Sequence, residues 1–290
     1  MQRTWKDIES AYIKILASLY PEGESRELFF LAAEEVGGLR KYEFSLLKNE
    51  AVAQNIDSRL LQILDQLAMG RPIQHILGKA PFYGQEFFVN EHTLIPRPET
   101  EELVDLIIRD WRDASSIKLI DIGTGTGCIV LSLAKHLNAD SWAVDISAEA
   151  IAVAKKNAQA LKTDVSFIQA DILEWEFMFS ERQNFDIIVS NPPYITPAEK
   201  EEMHRNVLQY EPHLALFVEE SAPLLFYDHI ADFALHHLAE EGTLYFEINQ
   251  FLGEETADLL KKKGFSVVEL FKDINGADRI IRAKRKKSLQ

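Results

Sequence analysis

Cysteine is almost absent from this sequence, and positive charge is scarce. A single cysteine, Cys128, in 290 residues excludes an internal disulfide and a zinc site built from several cysteines. Acidic residues outnumber basic ones by 46 to 31, a formal net charge of -15, which repels phosphate backbones and disfavours a broad nucleic-acid groove. The opening segment, MQRTWKDIESAYIKIL, carries charges within its apolar pattern and predicts neither a signal peptide nor a membrane span. We expect a cytoplasmic protein with no membrane partner.

Two common kinds of catalytic motif are also missing. The eight histidines include no HExxH spacing, and the neighbours His236 and His237 would diverge on a helix, so we expect no metal site. The Gly-x-Ser-x-Gly motif of serine hydrolases does not occur. Cys128 directly follows a glycine-rich run and is expected to pack at the start of a helix.

The chain changes character near residue 80. Before it, helical spacing such as that of Ile8, Tyr12 and Ile15 replaces strand-like alternation and predicts four or five helices. The aromatic and β-branched run PFYGQEFFVNEHTLIP, from Pro81 to Pro96, then predicts a hairpin. We therefore expect three parts: a helical domain at 1–76, a β-hairpin linker at 77–98 and a larger domain at 99–290.

From residue 117 onward, short β-rich runs alternate with helical stretches. This alternation predicts an α/β fold with a doubly wound, mostly parallel seven-stranded sheet. The predicted strands are Lys118–Ile122, Ser141–Asp145, Val165–Gln169, Phe185–Ser190, Thr243–Ile248, Phe265–Leu270 and Arg279–Ala283. The predicted helices are 99–111, 127–137, 147–161, 221–239 and 253–263.

A glycine-rich run, Asp121-Ile122-Gly123-Thr124-Gly125-Thr126-Gly127, lies where an apolar strand ends and a helix begins. Glycines there permit a tight turn and a close ligand, and the helix start offers free amide donors. The Gly-x-Gly-x-Gly spacing differs from the Gly-x-Gly-x-x-Gly dinucleotide fingerprint. The carboxylate of Asp121 is awkward for a pyrophosphate but suits the amino group and sulfonium of S-adenosylmethionine. Taken alone, the run also fits a nicotinamide enzyme or a plain tight turn.

Two further acids follow the next two strands. Asp145, with Ile146 after it, is placed where a carboxylate accepts both hydroxyls of a ribose, although it could equally cap the next helix. Asp171, Ile172 and Trp175 follow the third strand, where an adenine would meet an acid and an apolar wall. Without a nucleotide, Asp171 would be a turn acid and Trp175 a packing aromatic.

The motif Asn191-Pro192-Pro193-Tyr194 directly follows the fourth strand, at the carboxyl edge where open α/β sheets bind ligands. Prolines fix φ and withhold amide donors, so the surrounding carbonyls hold defined positions. The side-chain oxygen of Asn191 and the carbonyl of Pro192 can each accept one N–H of a planar NH2 group, and Tyr194 can stack on its face. The purely structural alternative is a rigid turn after a strand.

Three flanking segments accompany the two motifs. They are RPIQHILG at residues 71–78, LIPRPETE at residues 94–101 and YEPHLAL at residues 210–216. With DIGTGTG and SNPPYI, they resemble the HemK/PrmC family of protein-(glutamine) methyltransferases over nearly the whole chain. NPPY itself is shared with adenine and cytosine amino-methyltransferases, so the flanking segments carry the narrower assignment.

The resemblance implies a class I, Rossmann-like fold and S-adenosylmethionine as cofactor. It also implies methylation of the glutamine side-chain amide in the Gly-Gly-Gln loop of peptide-chain release factors. It places Gly123–Gly127, Asp145, Trp175 and Asn191 around the cofactor, and Asn191–Tyr194 on the glutamine. The catalytic residues would then be Asn191, Pro192 and Tyr194. The helical domain and hairpin would grip the release factor, and we expect a monomer.

Two other functions stay open on sequence grounds. A nucleic-acid adenine or cytosine amino-methyltransferase could apply the same NPPY motif to a flipped base. Residues 81–277 carry 34 acids and 15 bases, which argues against the cationic track that such an enzyme needs. A nucleotide-sensing adaptor would require NPPY to be vestigial.

Overall fold

The computed structural model describes residues 2–202 and 205–285. Within them the chain forms two compact units. The first contains residues 2–79 and 205–210, and the second contains residues 80–202 and 211–285. Residues 99–290 were expected to form one domain, but residues 205–210 belong to the first unit. No local pattern in the sequence marks this return of the chain.

The first unit is helical. Its core forms because apolar residues spaced along α1, α2 and α4 face one another, as with the fully buried Ile8 and Leu64. Thr4 begins α1 with a capping box in which Asp7 is the reciprocal partner. The buried hydroxyl of Tyr12 donates to the carbonyl of Leu60 at 2.7 Å and joins α1 to α4. The helices of this unit are α1 (Trp5–Leu16), α2 (Glu22–Gly37), α3 (Phe44–Leu47), α4 (Gln54–Ala68), α5 (Ile73–Leu77) and, from the returning segment, α9 (Arg205–Tyr210).

The hairpin β1 (Lys79–Phe82) and β2 (Gln85–Phe88) belongs to the second unit from Ala80 onward. Tyr83 and Gly84 both have positive φ, 46° and 69°, the conformation of a tight two-residue hairpin turn. Phe82 and Phe87 are buried in the core of that unit. Asn157 accepts from the amide of Phe88 at 2.7 Å and donates to its carbonyl at 3.0 Å. The segment expected as a linker is therefore packed into the second unit.

The second unit is built on the predicted seven-stranded sheet, with strand order β5-β4-β3-β6-β7-β9-β8. The pairs among β3 to β7 are parallel, and β9 runs antiparallel to both of its neighbours. The strands are β3 (Ile117–Ile122), β4 (Ala139–Asp145), β5 (Ser166–Gln169), β6 (Phe185–Ser190), β7 (Leu238–Glu247), β8 (Phe265–Lys272) and β9 (Asp278–Arg285). The helices are α6 (Pro98–Trp111), α7 (Cys128–His136), α8 (Ala148–Leu161), α10 (Leu225–His237) and α11 (Gly253–Lys263).

Both faces of this sheet are covered. Along β3, Leu119 packs in one hydrophobic cluster with α6, α7 and the hairpin, whereas Ile120 packs in the other with α10 and α11. Successive side chains of a strand point to opposite faces, so the two clusters are the two sides of a doubly wound sheet. The predicted fold class is thus confirmed. The helix predicted at 221–239 is shorter at both ends, and β7 begins five residues before the predicted Thr243.

The strand order places two chain segments side by side. β3 and β6 are neighbours with Ile122 opposite Ser190, and the hydroxyl of Ser190 donates to the carbonyl of Ile122 at 2.7 Å. The sheet order reverses at this pair, which opens a crevice at the carboxyl ends of the strands. Gly123 and Asn191 are the next residues on the two strands, so the two sequence motifs begin at the same edge of the sheet.

Among the residues described here, no helix is long and apolar enough to cross a membrane.

Candidate active site

The glycine-rich loop leaves β3 through three left-handed residues. Gly123, Gly125 and Gly127 have φ of 75°, 54° and 80°, a backbone region that residues other than glycine rarely adopt. A Cβ on Gly127 would also lie 3.1 Å from Leu131 and 3.3 Å from Ala154. The spacing of the three glycines therefore follows from the path of the backbone between β3 and α7.

Asp121, at the end of β3, carries a buried carboxyl group with unequal oxygens. Its Oδ2 accepts from the hydroxyl of Thr124 at 2.7 Å, while its Oδ1 has no hydrogen-bond partner in the described parts of the chain. Burial raises the pKa of Asp121 to about 7, and the hydrogen bond from Thr124 offsets part of that effect. A buried carboxylate oxygen without a donor is suited to a cationic ligand, such as the amino group of S-adenosylmethionine.

Asp145 ends β4 and holds the loop from the other side. Its Oδ2 accepts from the amide of Gly125 at 2.8 Å and its Oδ1 accepts from the amide of Ser147 at 3.0 Å. Burial raises the pKa of Asp145, and these two backbone bonds act against the rise. Asp145 therefore binds the amides of both the loop and Ser147. Each of its oxygens still has a second lone pair that can accept from a ribose hydroxyl. Ile146 beside it is partly exposed.

The third strand brings only part of its predicted site residues to this loop. The amide of Ala170 donates to the carbonyl of Asp145 at 3.1 Å, so the start of the following turn lies at the end of β4. Asp171 accepts from the amide of Leu173 at 2.9 Å and caps the 3₁₀ helix Ile172–Phe177. Ile172 in that helix packs against the sheet core.

Trp175 in the same 3₁₀ helix faces α10. Its ring contacts Phe233, His236 and His237 at centroid distances of 6.1, 5.5 and 5.9 Å. In this arrangement the tryptophan has the packing role that the sequence left open as the alternative. Its predicted place at the cofactor stays a prediction.

The NPPY motif presents two free acceptors after β6. Pro192 is buried, and within residues 2–202 and 205–285 no donor reaches its carbonyl oxygen or the Oδ1 of Asn191. The amide nitrogen of Asn191 points the other way and donates to Thr100 at 3.4 Å. The motif thus offers two acceptors one residue apart, the arrangement that binds the two N–H groups of an amide.

Glu247, at the end of β7, connects both ends of this motif. Its Oε2 accepts from the hydroxyl of Thr100 at 2.6 Å, and its Oε1 accepts from the hydroxyl of Tyr194 at 3.2 Å. Glu247 is 1% exposed, and burial raises its pKa, while the bond from Thr100 acts in the opposite direction. Burial and the adjacent Glu247 also raise the pKa of Tyr194, which keeps its phenol protonated.

Asn249 and Glu199 support the same motif from its far side. The amide nitrogen of Asn249 donates to the carbonyl of Tyr194 at 3.0 Å and to Glu199 at 3.0 Å. The amide of Thr196 donates to Glu199 at 2.8 Å. These bonds fix the chain as it leaves NPPY.

The segments LIPRPETE and YEPHLAL meet through one buried carboxylate. Glu211 accepts from Arg97 at 2.6 Å and from the amide of Ile95 at 3.1 Å, and its side chain is 1% exposed. This ion pair braces the start of α6, the helix that carries Thr100.

The sequence motifs gave no role to Thr100 or Asn249, and Glu247 stood out only as an acid at the end of the predicted strand Thr243–Ile248. Their contacts join residues far apart in the chain, 147 positions in the bond from Thr100 to Glu247. The available signals were the acid at the end of a predicted strand and the threonine within LIPRPETE. Cys128 is half-buried at the start of α7, and burial raises its thiol pKa to about 12, so it is an inert packing residue.

Fold and site together define a methyltransferase. A family model described as a methyltransferase domain matches residues 113–272. Two solved structures share the fold at a TM-score of 0.51 and 18% identity. One is a Thermus thermophilus 16S rRNA N2 G1207 methyltransferase in complex with AdoMet and guanosine, covering 72% of this chain and 50% of its own. The other is a methyltransferase from Pyrococcus furiosus, covering 79% and 100%.

Curated relatives narrow this class. The release factor glutamine methyltransferase of Flavobacterium psychrophilum is 48% identical over 96% of this chain and 98% of its own length. That of Bacteroides thetaiotaomicron is 42% identical over 95% and 99%. The chain belongs to the release factor glutamine methyltransferase family, which confirms the resemblance found in its motifs.

Proposed function

We propose that this protein transfers a methyl group from S-adenosylmethionine to the side-chain amide nitrogen of the glutamine in the Gly-Gly-Gln loop of peptide-chain release factors. The observation that carries the proposal is the pair of free acceptors, Asn191 Oδ1 and Pro192 O, next to a glycine-rich loop. The names of its relatives support the substrate. We place the reaction in the cytoplasm, where translation terminates.

The residues of the first half of the site fit S-adenosylmethionine, which supplies an activated methyl group on a sulfonium. Asp121 offers the unpaired buried oxygen for a positive group, and Asp145 retains acceptor capacity for ribose hydroxyls. The loop with left-handed glycines exposes backbone for close approach. We assign to cofactor binding Asp121, Gly123, Thr124, Gly125, Thr126, Gly127, Asp145, Ile146, Asp171, Ile172, Trp175 and Asn191.

The second half acts on the glutamine amide, whose nitrogen is a poor nucleophile because its lone pair is delocalised. Asn191 and Pro192 each accept one N–H group of the glutamine amide. These bonds hold the amide nitrogen in line with the methyl donor and favour its pyramidal form in the transition state. Pro193 keeps the backbone rigid, and Tyr194 covers the face of the amide and excludes water. The high pKa of Tyr194 excludes it as a base, and none is required. As the methyl group moves to nitrogen, its bond to sulfur breaks and leaves a neutral thioether, and the positively charged nitrogen then releases its proton to solvent.

We infer that the helical unit binds the body of the release factor and that the enzyme acts as a monomer. Hydrogen exchange with and without a release factor tests this directly. Protection confined to residues 2–79 and the NPPY region supports the inference, whereas protection at NPPY alone contradicts it. Light scattering of the free enzyme at assay concentration reports the oligomeric state.

The proposed reaction is tested with labelled S-adenosylmethionine. The substrates are a release factor, the same factor with Gln→Ala in its glycine-flanked loop, plain DNA and plain RNA. We expect label on the first substrate only, with mass spectrometry locating one methyl group on the glutamine. Label on nucleic acid alone would contradict the proposal and favour the amino-methyltransferase reading of NPPY.

A further inference from the structure

We propose that Thr100 is a positioning residue that fixes the side-chain amide orientation of Asn191 through Glu247. The inference rests on the proposed function and deepens it, because it assigns a task in that reaction to a residue of the LIPRPETE segment. Thr100 is 3% exposed and lies in the first turn of α6.

The hydroxyl of Thr100 points toward Glu247. A hydroxyl has one proton to donate. Oγ1 of Thr100 lies 2.6 Å from Oε2 of Glu247, the distance of a strong hydrogen bond from a hydroxyl to a carboxylate. In the ionised form of Glu247 the carboxylate can only accept, and in that form the proton of Thr100 is committed to Glu247.

The orientation of the Asn191 side-chain amide follows from this bond. With its proton committed, Oγ1 of Thr100 faces its other neighbours with lone pairs alone and can only accept. Asn191 therefore turns its NH2 group toward Thr100, at 3.4 Å, and its Oδ1 to the opposite side. The reversed amide would bring two acceptors together and would offer a donor to the glutamine N–H, which prevents binding of the substrate amide.

Glu247 also holds Tyr194. Its other oxygen accepts from the hydroxyl of Tyr194 at 3.2 Å, so one buried carboxylate sets both ends of NPPY. Thr100 and Glu247 are themselves buried, and they bond to Asn191 and Tyr194. Their effect on the reaction passes through those two residues.

The test compares Thr100→Val with Thr100→Ser. Valine keeps the shape of threonine but removes the hydroxyl, whereas serine keeps the hydroxyl and removes a methyl group. We expect Thr100→Val to lower kcat for release-factor methylation about tenfold or more, with the KM for S-adenosylmethionine within about twofold of wild type. Thr100→Ser should retain at least about half of the wild-type kcat. A melting curve of each variant checks that it is folded.

A second measurement reads the bond without turnover. In wild type and Thr100→Ser, we expect the side-chain amide protons of Asn191 to exchange slowly with solvent by NMR, and in Thr100→Val to exchange faster. Equal kcat in wild type and Thr100→Val, or equal losses in both variants, would overturn the inference. Absence of methylation by the wild type would instead refute the proposed function, and the exchange rates would still decide the role of Thr100.

Discussion

The two halves of the site are built by different means. At the carboxyl ends of β3 and β4, the loop is shaped by its own glycines and by bonds from backbone amides, such as those of Gly125 and Ser147, to the side chain of Asp145. At the ends of β6 and β7, NPPY is held by buried side chains from distant segments. The glycine-rich half would bind its ligand through backbone atoms, so it depends on the conformation of the loop. The NPPY half orients an amide, so it depends on the directions of its hydrogen-bond donors and acceptors.

Removal of Glu247 should give the largest difference between the effect on kcat and the effect on the affinity for S-adenosylmethionine. Glu247→Ala leaves the hydroxyls of Thr100 and Tyr194 without their buried acceptor, at a cost of about 1–3 kcal/mol in the free energy of unfolding. We expect kcat to fall about a hundredfold and the Kd of S-adenosylmethionine to change less than about threefold. Steady-state kinetics and calorimetry measure both.

The matched control is Glu240→Gln, an exposed acid on the same strand, which should leave both quantities unchanged. If the Glu247 variant loses cofactor affinity in step with kcat, the halves are not separable and the comparison fails.

Substitution in the loop should have the opposite signature. Gly127→Ala places a Cβ at φ 80° and 3.1 Å from Leu131, which strains α7 at its first turn. We expect a Kd for S-adenosylmethionine raised about tenfold and stability lowered by about 1–2 kcal/mol. Gly23→Ala, in α2 where a Cβ meets no atom within 4 Å, is the control and should melt at or above the wild-type temperature. Equal Kd values for wild type and Gly127→Ala would refute the assigned role of the loop.

Asp121 adds a pH dependence to the cofactor half alone. Burial raises its pKa from 3.8 to about 7, so the folded chain keeps a proton that the unfolded chain releases. Its contribution to the free energy of unfolding therefore falls as pH rises from about 4 to about 7, and the ionised form that attracts a cation appears above about 7. We expect S-adenosylmethionine to bind several-fold more tightly at pH 8 than at pH 6, by calorimetry.

Asp121→Asn should abolish that pH dependence, weaken cofactor binding and raise the melting temperature of the free protein at pH 8. A melting temperature at pH 8 below that of wild type would show that the carboxylate is stabilised by contacts other than those described here.

The smallest expected effect concerns the brace at Arg97. Arg97→Met removes the 2.6 Å ion pair with the buried Glu211, which then keeps the amide of Ile95 as donor. We expect a loss of about 1–2 kcal/mol in stability by denaturant unfolding. Arg112→Met, at an exposed pair with Asp113, should cost less than about 0.5 kcal/mol. Equal losses would show that burial of Glu211 does not matter.

The comparison also explains what the sequence could predict. Strand and helix periods predicted the seven strands, and local spacing predicted the glycine loop and the placement of NPPY at a strand end. The roles of Thr100 and Glu247 depend on a contact that forms only after α6 and β7 pack. The return of α9 to the helical unit likewise depends on tertiary contacts, such as the bond from Tyr210 to the carbonyl of Met69 at 3.0 Å.

The most direct test of the account is Asn191→Ala, measured for turnover and for cofactor affinity in the same preparation. Removing one of the two acceptors takes away the orientation of the substrate amide and leaves the glycine loop intact. The account predicts nearly abolished methylation of the release factor, with the Kd of S-adenosylmethionine within about tenfold of wild type. Turnover equal to wild type would contradict it.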